Sequence, residues 1–491
     1  MKSKFSKVLS VVLSVVLVIS SFYLLYQVIR LNVLPTKFLF PLTIGVVVLD
    51  AIFILLLVYF SKNVVSKIVC IVLTLFICVA SCMGGYYISK TQNVLSSITN
   101  VAKHAKNTVS VIVKESSSIK NKSQLNGVSV GSLRLNEQGS KKALKELSNE
   151  GIVLNQTEYD SMTALLEAFY NGEVDSIIIN ESSRSQILDM EAYSNFDSNT
   201  RVVYQTSYKV KNNDSATSVS DITSKPFNVL ISGSDTRGGF DENGRSDVIM
   251  IATVNPKTHT ILLTSVPRDF YVTTACDAGD GCMQGALDKI THTGIHGTNT
   301  TKRTVEQLLG IEINYTFKVG FDTVTELVDV LGGVDVYVEP GYATTTSEFS
   351  VHEGVNHLNA QQALAFARER YSYTEGDRQR TKNQQQVLMG IVKEVTKPSV
   401  ITNYAAIMDT MANTFSTTMS NAEITDLIKY QLNNNPTWKM EQYMVDGTGD
   451  TLMCAELGDA ASVMVPDQST VKMAKDKINA VLAGKSSEDV K

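Results

Sequence analysis

The sequence predicts an α/β protein carried on membrane-spanning helices. Three observations predict it. The first 90 residues hold three long apolar runs, Val8 to Ile29, Phe38 to Phe60 and Ile68 to Ile88. Helix-period and strand-like segments alternate from Gly127 to Val210. The alternation resumes at Phe227, after the polar linker "KNNDSATSVSDITSKP". The expected domains are therefore 1–90, three transmembrane helices; 91–215, a stalk and a small accessory α/β domain; and 226–485, a larger α/β domain that carries the chemistry. A chain of 491 residues accommodates all three.

Each apolar run is long enough to cross a hydrocarbon layer of ~30 Å as a helix. The first run follows a basic n-region, "MKSKFSK", as a secretory signal would. It is longer than a typical signal core, no A-x-A-like site follows, and two more runs come next, so it reads as a retained helix. Lysines precede the first run, Arg30 and Lys37 follow it, and Lys62 and Lys67 separate the second from the third. That distribution places the N-terminus in the cytoplasm and everything after residue 90 outside the cell. Asp50, near the middle of the second run, is functional, or else it is protonated or faces another span. Cys70, Cys78 and Cys82 fall in the third run as packing residues, and Cys454 stands alone. Cys276 and Cys282 share a Gly/Asp loop, which outside the cell suits a small disulfide or two unpaired thiols. The net charge of −5 gives no reason to expect direct nucleic-acid binding.

Residues 89 to about 120 are polar and read as a stalk. Beyond them come a strand in "VSVGSL", a helix in "GSKKALKELSNEG", a helix then a strand in "SMTALLEAFYNGEVDSIIIN", and a strand in "RVVYQTSYKV". This order resembles one lobe of an extracellular solute-binding protein but brings no ligand residues with it. The domain could equally be a spacer. In the larger domain, strands are expected at 227–232, 248–254, 260–266, 314–319 and 334–338. Helices are expected near 301–309, at 322–331 (ended by Gly332 and Gly333), from Asn359, and from Asp377 to Pro398. The remainder, to about residue 480, is expected to close the same domain.

Three segments carry the charge. "SGSDTRGGFDENGRSDVIM" (Ser232 to Met250) places six charged residues and four glycines between two apolar strands. Asp235 and Asp247 fall at adjacent strand ends, where two carboxylates suit Mg²⁺ or Mn²⁺ and resist joint ionisation without a cation. Arg237 and Arg245 flank them; a solvated, salt-bridged turn is the competing reading. "TSVPRDFYV" puts Arg268 and Asp269 directly after a strand, at the edge where ligands collect in α/β sheets. "NAQQALAFARERYSYTEGDRQRTKNQQQ" ends one helix in Arg368 and Arg370 and opens the next with Asp377 as N-cap. Arg380 and Gln384, four apart, share a face of that second helix. A helix start rich in arginine suits phosphate, which the planar guanidinium grips in pairs. His292 and His296 have i,i+4 spacing but no third ligand nearby.

The three segments, together with "GFDTVTELVDVLGGVDVYV", resemble the LytR-CpsA-Psr (LCP) family. The three-span architecture with an accessory domain is similar to its streptococcal capsule-locus members of the CpsA or Wzg type. The resemblance implies an α/β fold with a central mixed sheet flanked by helices and a hydrophobic tunnel for a polyprenyl chain. It implies a membrane-anchored extracellular transferase that moves capsular polysaccharide from an undecaprenyl-pyrophosphate carrier to peptidoglycan. Capsule-assembly membrane proteins would be its neighbours. On that reading Asp235 and Asp247 hold Mg²⁺ (or Mn²⁺), and Arg245, Arg268, Arg368, Arg370, Arg380 and Gln384 bind the pyrophosphate. Asp377 orients the arginines, and Asp247, Arg268 and Arg245 take part in catalysis, with Asp247 or a metal-bound hydroxide as base. A lipid-pyrophosphate hydrolase, or a non-catalytic lipid-glycan binder that regulates capsule assembly, would use the same residues.

Overall fold

A computed structural model describes residues 2–60, 63–99, 104–134, 137–234, 242–277, 281–397, 400–411 and 415–490. The chain divides into two compact units. The first contains the apolar helices α1 (Lys2–Leu31), α2 (Thr36–Leu55, extended by a π-helical turn to Phe60) and α3 (Val64–Thr99). All three are long and apolar enough to cross a membrane. Asp50 accepts a hydrogen bond from Ser21 of α1 at 2.9 Å, so it faces a neighbouring helix. The same unit takes in residues 393–412 and 420–437, which the sequence reading assigned to the closing part of the larger α/β domain. Lys90 of α3 pairs with Asp409 at 2.7 Å, and Thr99 donates to Asn421 at 2.6 Å.

The second unit begins with a five-stranded sheet: β1 (His104–Lys114), β2 (Ser129–Leu133), β3 (Asn155–Tyr159), β4 (Ser176–Asn180) and β5 (Thr200–Lys211). The order is β3-β2-β4-β1-β5, with β2 parallel to β3 and β4, and β1 antiparallel to β4 and β5. The stalk expected up to residue 120 is thus corrected. Helix α3 carries it to Thr99, and residues 104–114 form a central strand in which Val109, Val111, Ile112 and Val113 are fully buried. Helices α4 (Glu137–Asn149) and α5 (Met162–Asn171) cover opposite faces, and the short α6 (Arg184–Asp189) follows β4.

The segment after β5 is laid along the next sheet instead of swinging free. Thr217 N donates to Asn314 O at 2.8 Å, and half-buried Asp214 accepts from Thr316 at 2.7 Å. Burial, more than its hydrogen bonds offset, pushes the Asp214 carboxyl up to about 6. The second sheet has six strands: β6 (Phe227–Ser234), β7 (Val248–Asn255), β8 (Thr260–Val266), β9 (Tyr315–Gly320), β10 (Phe415–Thr417) and β11 (Lys439–Met444). Their order is β10-β9-β6-β7-β8-β11. The pairs β6–β9 and β8–β11 are parallel and the other pairs antiparallel, so the sheet is mixed. Helices α7 (Thr298–Leu309) and α13 (Gln468–Leu482) bury Val305, Leu309, Val471 and Ile478 against one face. Helices α8 (Phe321–Leu331), α9 (Ala360–Arg368) and α10 (Asp377–Val395) complete the domain. Helices α11 (Val400–Met411) and α12 (Asn421–Asn434) belong to the first unit. Cys276 and Cys282 are joined in a disulfide.

Candidate pyrophosphate site

The mixed sheet sets the site's geometry. Strand β6 ends and β7 begins at the same edge, where Asp247 N donates to Gly233 O at 2.8 Å. Gly233 has to be glycine, since a Cβ there would stand 2.8 Å from the Val248 Cβ. Because Ile249 pairs with Val266, the end of β8 lies beside the start of β7 and brings Arg268 next to Asp247. Arg268 Nη1 donates to Asp247 Oδ1 at 3.0 Å, and Thr291 approaches the same oxygen at 3.4 Å. Arg245 Nε is 3.9 Å from it.

Helix α10 supplies the opposite wall. Gly376, at φ +53°, turns the chain into it. Buried amides anchor it on both sides: Asn383 donates to Phe366 O of α9 at 3.0 Å, and Gln385 to Tyr443 O of β11 at 2.8 Å. So held, Arg380 and Gln384 face a cleft of about 220 Å³ lined also by Asp247, Arg268 and Asp377. Asp377 binds Arg380 Nη2.

Two arginines, Arg268 and Arg380, face two carboxylates, Asp247 and Asp377, across the cleft. Burial opposes the charge on Arg268, but Asp247 and Asp269 outweigh it and hold its pKa above the usual value. Arg380 differs. Burial, with repulsion from Arg268 and Arg370, pulls its pKa down against Asp377. Among the described residues, the Nε atoms of Arg245, Arg268 and Arg380 are buried without a hydrogen-bond partner. Arg268 and Arg380 line the cleft and Arg245 does not, though its Nε is 3.9 Å from Asp247; buried guanidinium donors so placed suit an anion with several oxygens.

Arg370 lies near enough to Arg380 to lower its pKa; its own Nη2 donates to Tyr371 at 2.6 Å. Arg368 is exposed at the end of α9 and lines neither of the two clefts described here. Asp235 and Arg237 lie outside the described residues. His292 and His296 belong elsewhere, bonded to Asp288 at 2.7 Å and Glu456 at 2.8 Å. Sequence reasoning missed Thr291, although it adjoins His292 in "THTGIH".

For a divalent cation the donor chemistry fits. Asp247 Oδ1 is taken by Arg268 and Thr291, and Oδ2 accepts no hydrogen bond among the described residues. Mg²⁺ is ordinarily held through one or two carboxylates with waters and phosphate oxygens around it.

A second cleft, of about 580 Å³, adjoins the first. Its walls are apolar: Ile231, Val319, Val324 and Leu364, with Val387, Leu388 and Ile391 of α10. Val248, Met250 and Gln384 line both clefts. Helix α10 therefore presents arginine to one and aliphatic side chains to the other.

Similar proteins include the Bacillus cereus polyisoprenyl-teichoic acid–peptidoglycan teichoic acid transferase TagU. It is 31% identical over 241 residues, which are 48% of this chain and 76% of that protein. TagU of Bacillus subtilis is 35% identical over 196 residues, 40% of this chain and 60% of that one. The crystal structure of B. subtilis TagU covers 52% of this chain and 97% of its own, with 28% identity and a TM-score of 0.41. The model of the LytR_cpsA_psr family matches residues 192–480, from the end of the accessory domain into α13, and the chain belongs to that family.

Proposed function

We propose that the protein is a membrane-anchored transferase that moves capsular glycan from an undecaprenyl-pyrophosphate carrier to peptidoglycan outside the cell. One observation carries this reading: the arginine-lined cleft and the apolar cleft share Val248, Met250 and Gln384. A ligand that fills both has a multiply charged anionic head on a long aliphatic tail, which describes a prenyl pyrophosphate. The TagU relatives are transferases of teichoic acid from polyisoprenyl-teichoic acid to peptidoglycan, which supports the same substrate class.

The proposed reaction is phosphoryl transfer. The acceptor sugar hydroxyl attacks the phosphorus that bears the glycan. A new O–P bond forms, the bond to the bridging oxygen breaks, and undecaprenyl phosphate leaves. Asp247 accepts the hydroxyl proton. Arg268, Arg245 and Arg380 stabilise charge on the phosphate oxygens, with Gln384 where the two clefts meet and Arg370 and Arg368 outside both linings. Preorganised donors in a partly buried cleft cost little reorganisation as that charge develops. Asp247 and Asp235 would hold Mg²⁺, which supplies charge neutralisation at the pyrophosphate.

The test is to measure prenyl-pyrophosphate affinity and melting temperature on one set of variants, Arg268→Lys and Arg380→Gln. Weaker binding by folded variants supports the reading. Destabilised variants that bind normally would show the arginines to be structural.

A further inference from the structure

The accessory domain touches the segment 242–247 at two points. Glu242, only 7% exposed, accepts a hydrogen bond from Thr108 of β1. Lys106 Nζ stands 3.4 Å from the same carboxylate, and a β-bridge joins Lys106 to Glu242. From the other side Lys318 of β9 donates to Glu242 O at 2.6 Å. Three residues later, Arg245 Nη1 is bound by Asp189, the last residue of α6. The Arg245 side chain is 10% exposed and that of Asp189 is 55% exposed.

We infer that Asp189 is a positioning residue of the pyrophosphate site, so that the accessory domain completes that site and does more than space it from the membrane. The inference rests on the proposal that the arginine cleft binds a lipid pyrophosphate. Arg245's donors are divided between two uses. Asp189 takes Nη1, the nitrogen on the far side of the guanidinium from the Nε–H. The Nε–Nη2 edge, the side-on fork that grips phosphate oxygens in pairs, is not used by Asp189 and so remains for a ligand beside Asp247, which lines the cleft. Nε is the atom nearest Asp247, at 3.9 Å, and it is buried without a hydrogen-bond partner. At that distance Asp247 makes no hydrogen bond to Arg245. Asp189 is therefore the carboxylate that fixes the plane of the guanidinium. The Glu242 clamp fixes the backbone three residues earlier, and both anchors come from the domain that precedes the catalytic sheet. A competitor for the ligand would occupy the fork itself, and Asp189 does not.

The experiment uses the full-length chain in detergent micelles, with farnesyl pyrophosphate and Mg²⁺ as the probe. Asp189→Asn is expected to weaken binding about 3- to 10-fold, the range for one coupled contact, without a change in melting temperature. Asp189→Glu, which keeps the charge, is expected to restore most of the affinity. In an Arg245→Gln background, Asp189→Asn is expected to add nothing, because the residue through which it acts is gone. Wild-type affinity in Asp189→Asn, tighter binding, or an undiminished effect in the Arg245→Gln background would overturn the inference while leaving the pyrophosphate site standing. A wild-type chain that does not bind the probe would remove both. If Asp189→Asn lowers the melting temperature, the double-variant cycle still decides, since a loss through the fold persists without Arg245.

Discussion

Arg268 and Arg380 are both arginines in one cleft, yet their surroundings assign them different risks. Arg268 leans on Asp247 and Asp269, whose charges hold its pKa up. Arg380 is crowded by Arg268 and Arg370 and its pKa is held down by that crowding and by burial. Arg380→Gln is therefore predicted to keep or raise the melting temperature while weakening prenyl-pyrophosphate binding by about 10- to 100-fold, the size of one charge-assisted contact. Arg268→Lys should lose affinity to a similar degree, because a point charge cannot reproduce the fork. It should also lose some stability, because the Asp247 contact is disturbed. Calorimetric melting and ligand titration on both variants check the contrast. Asp247→Ala is predicted to abolish the gain in ligand affinity that Mg²⁺ confers; an unchanged gain would exclude Asp247 as a metal ligand. Several residues of the candidate site were legible in the sequence because they sit at recognisable boundaries: Asp247 at a strand start, Arg268 at a strand end, Asp377 at a helix start. Thr291 and Asp189 were not. Thr291 lies 44 residues from its partner and Asp189 lies 56, and no local pattern marks either.

At the scale of elements, α10 joins the two clefts. Its polar start carries Arg380 and Gln384, and its apolar flank carries Val387, Leu388 and Ile391. Leu388→Trp is predicted to fill the apolar cleft and weaken long prenyl pyrophosphates much more than inorganic pyrophosphate. Equal effects on the two ligands would show that the cleft does not hold the chain. A second prediction concerns β11. Burial works against ionisation of Glu441, but hydrogen bonds from Lys439, Ser487 and Ser486 outweigh it and hold its carboxyl at about 2. A depressed carboxyl stabilises the fold above its unfolded pKa, and that stability is lost as pH falls towards the folded value. The Glu441 contribution should be complete above about pH 4.5 and vanish progressively towards pH 2. Glu441→Gln should flatten that part of the melting-temperature profile; an unchanged acid limb would contradict it. Sequence periodicity located most strands and helices, yet it read β1 as stalk. The polar run before it continues through Lys106 and Asn107, and the partners that bury it, β4 and β5, come some 70 to 100 residues later. It also placed α11 and α12 in the larger α/β domain, because an apolar face does not name the surface it will cover.

For the whole molecule, three apolar helices precede a unit that holds both sheets. The distribution of basic residues predicts a cytoplasmic N-terminus. A reporter active only outside the cell, fused after Thr99, is predicted to be active, and an inactive but cytoplasmically folded reporter would remove the proposed acceptor from reach. The central claim is transfer, and one measurement addresses it most directly. The full-length chain in lipid nanodiscs is given undecaprenyl pyrophosphate carrying labelled capsular glycan, purified peptidoglycan and Mg²⁺. The predicted result is label bound covalently to peptidoglycan with undecaprenyl phosphate released in equal amount, and loss of both in Asp247→Ala. Label released as soluble glycan phosphate, with none on the peptidoglycan, would contradict the account in favour of hydrolysis; lipid bound without turnover would contradict it in favour of a binding protein.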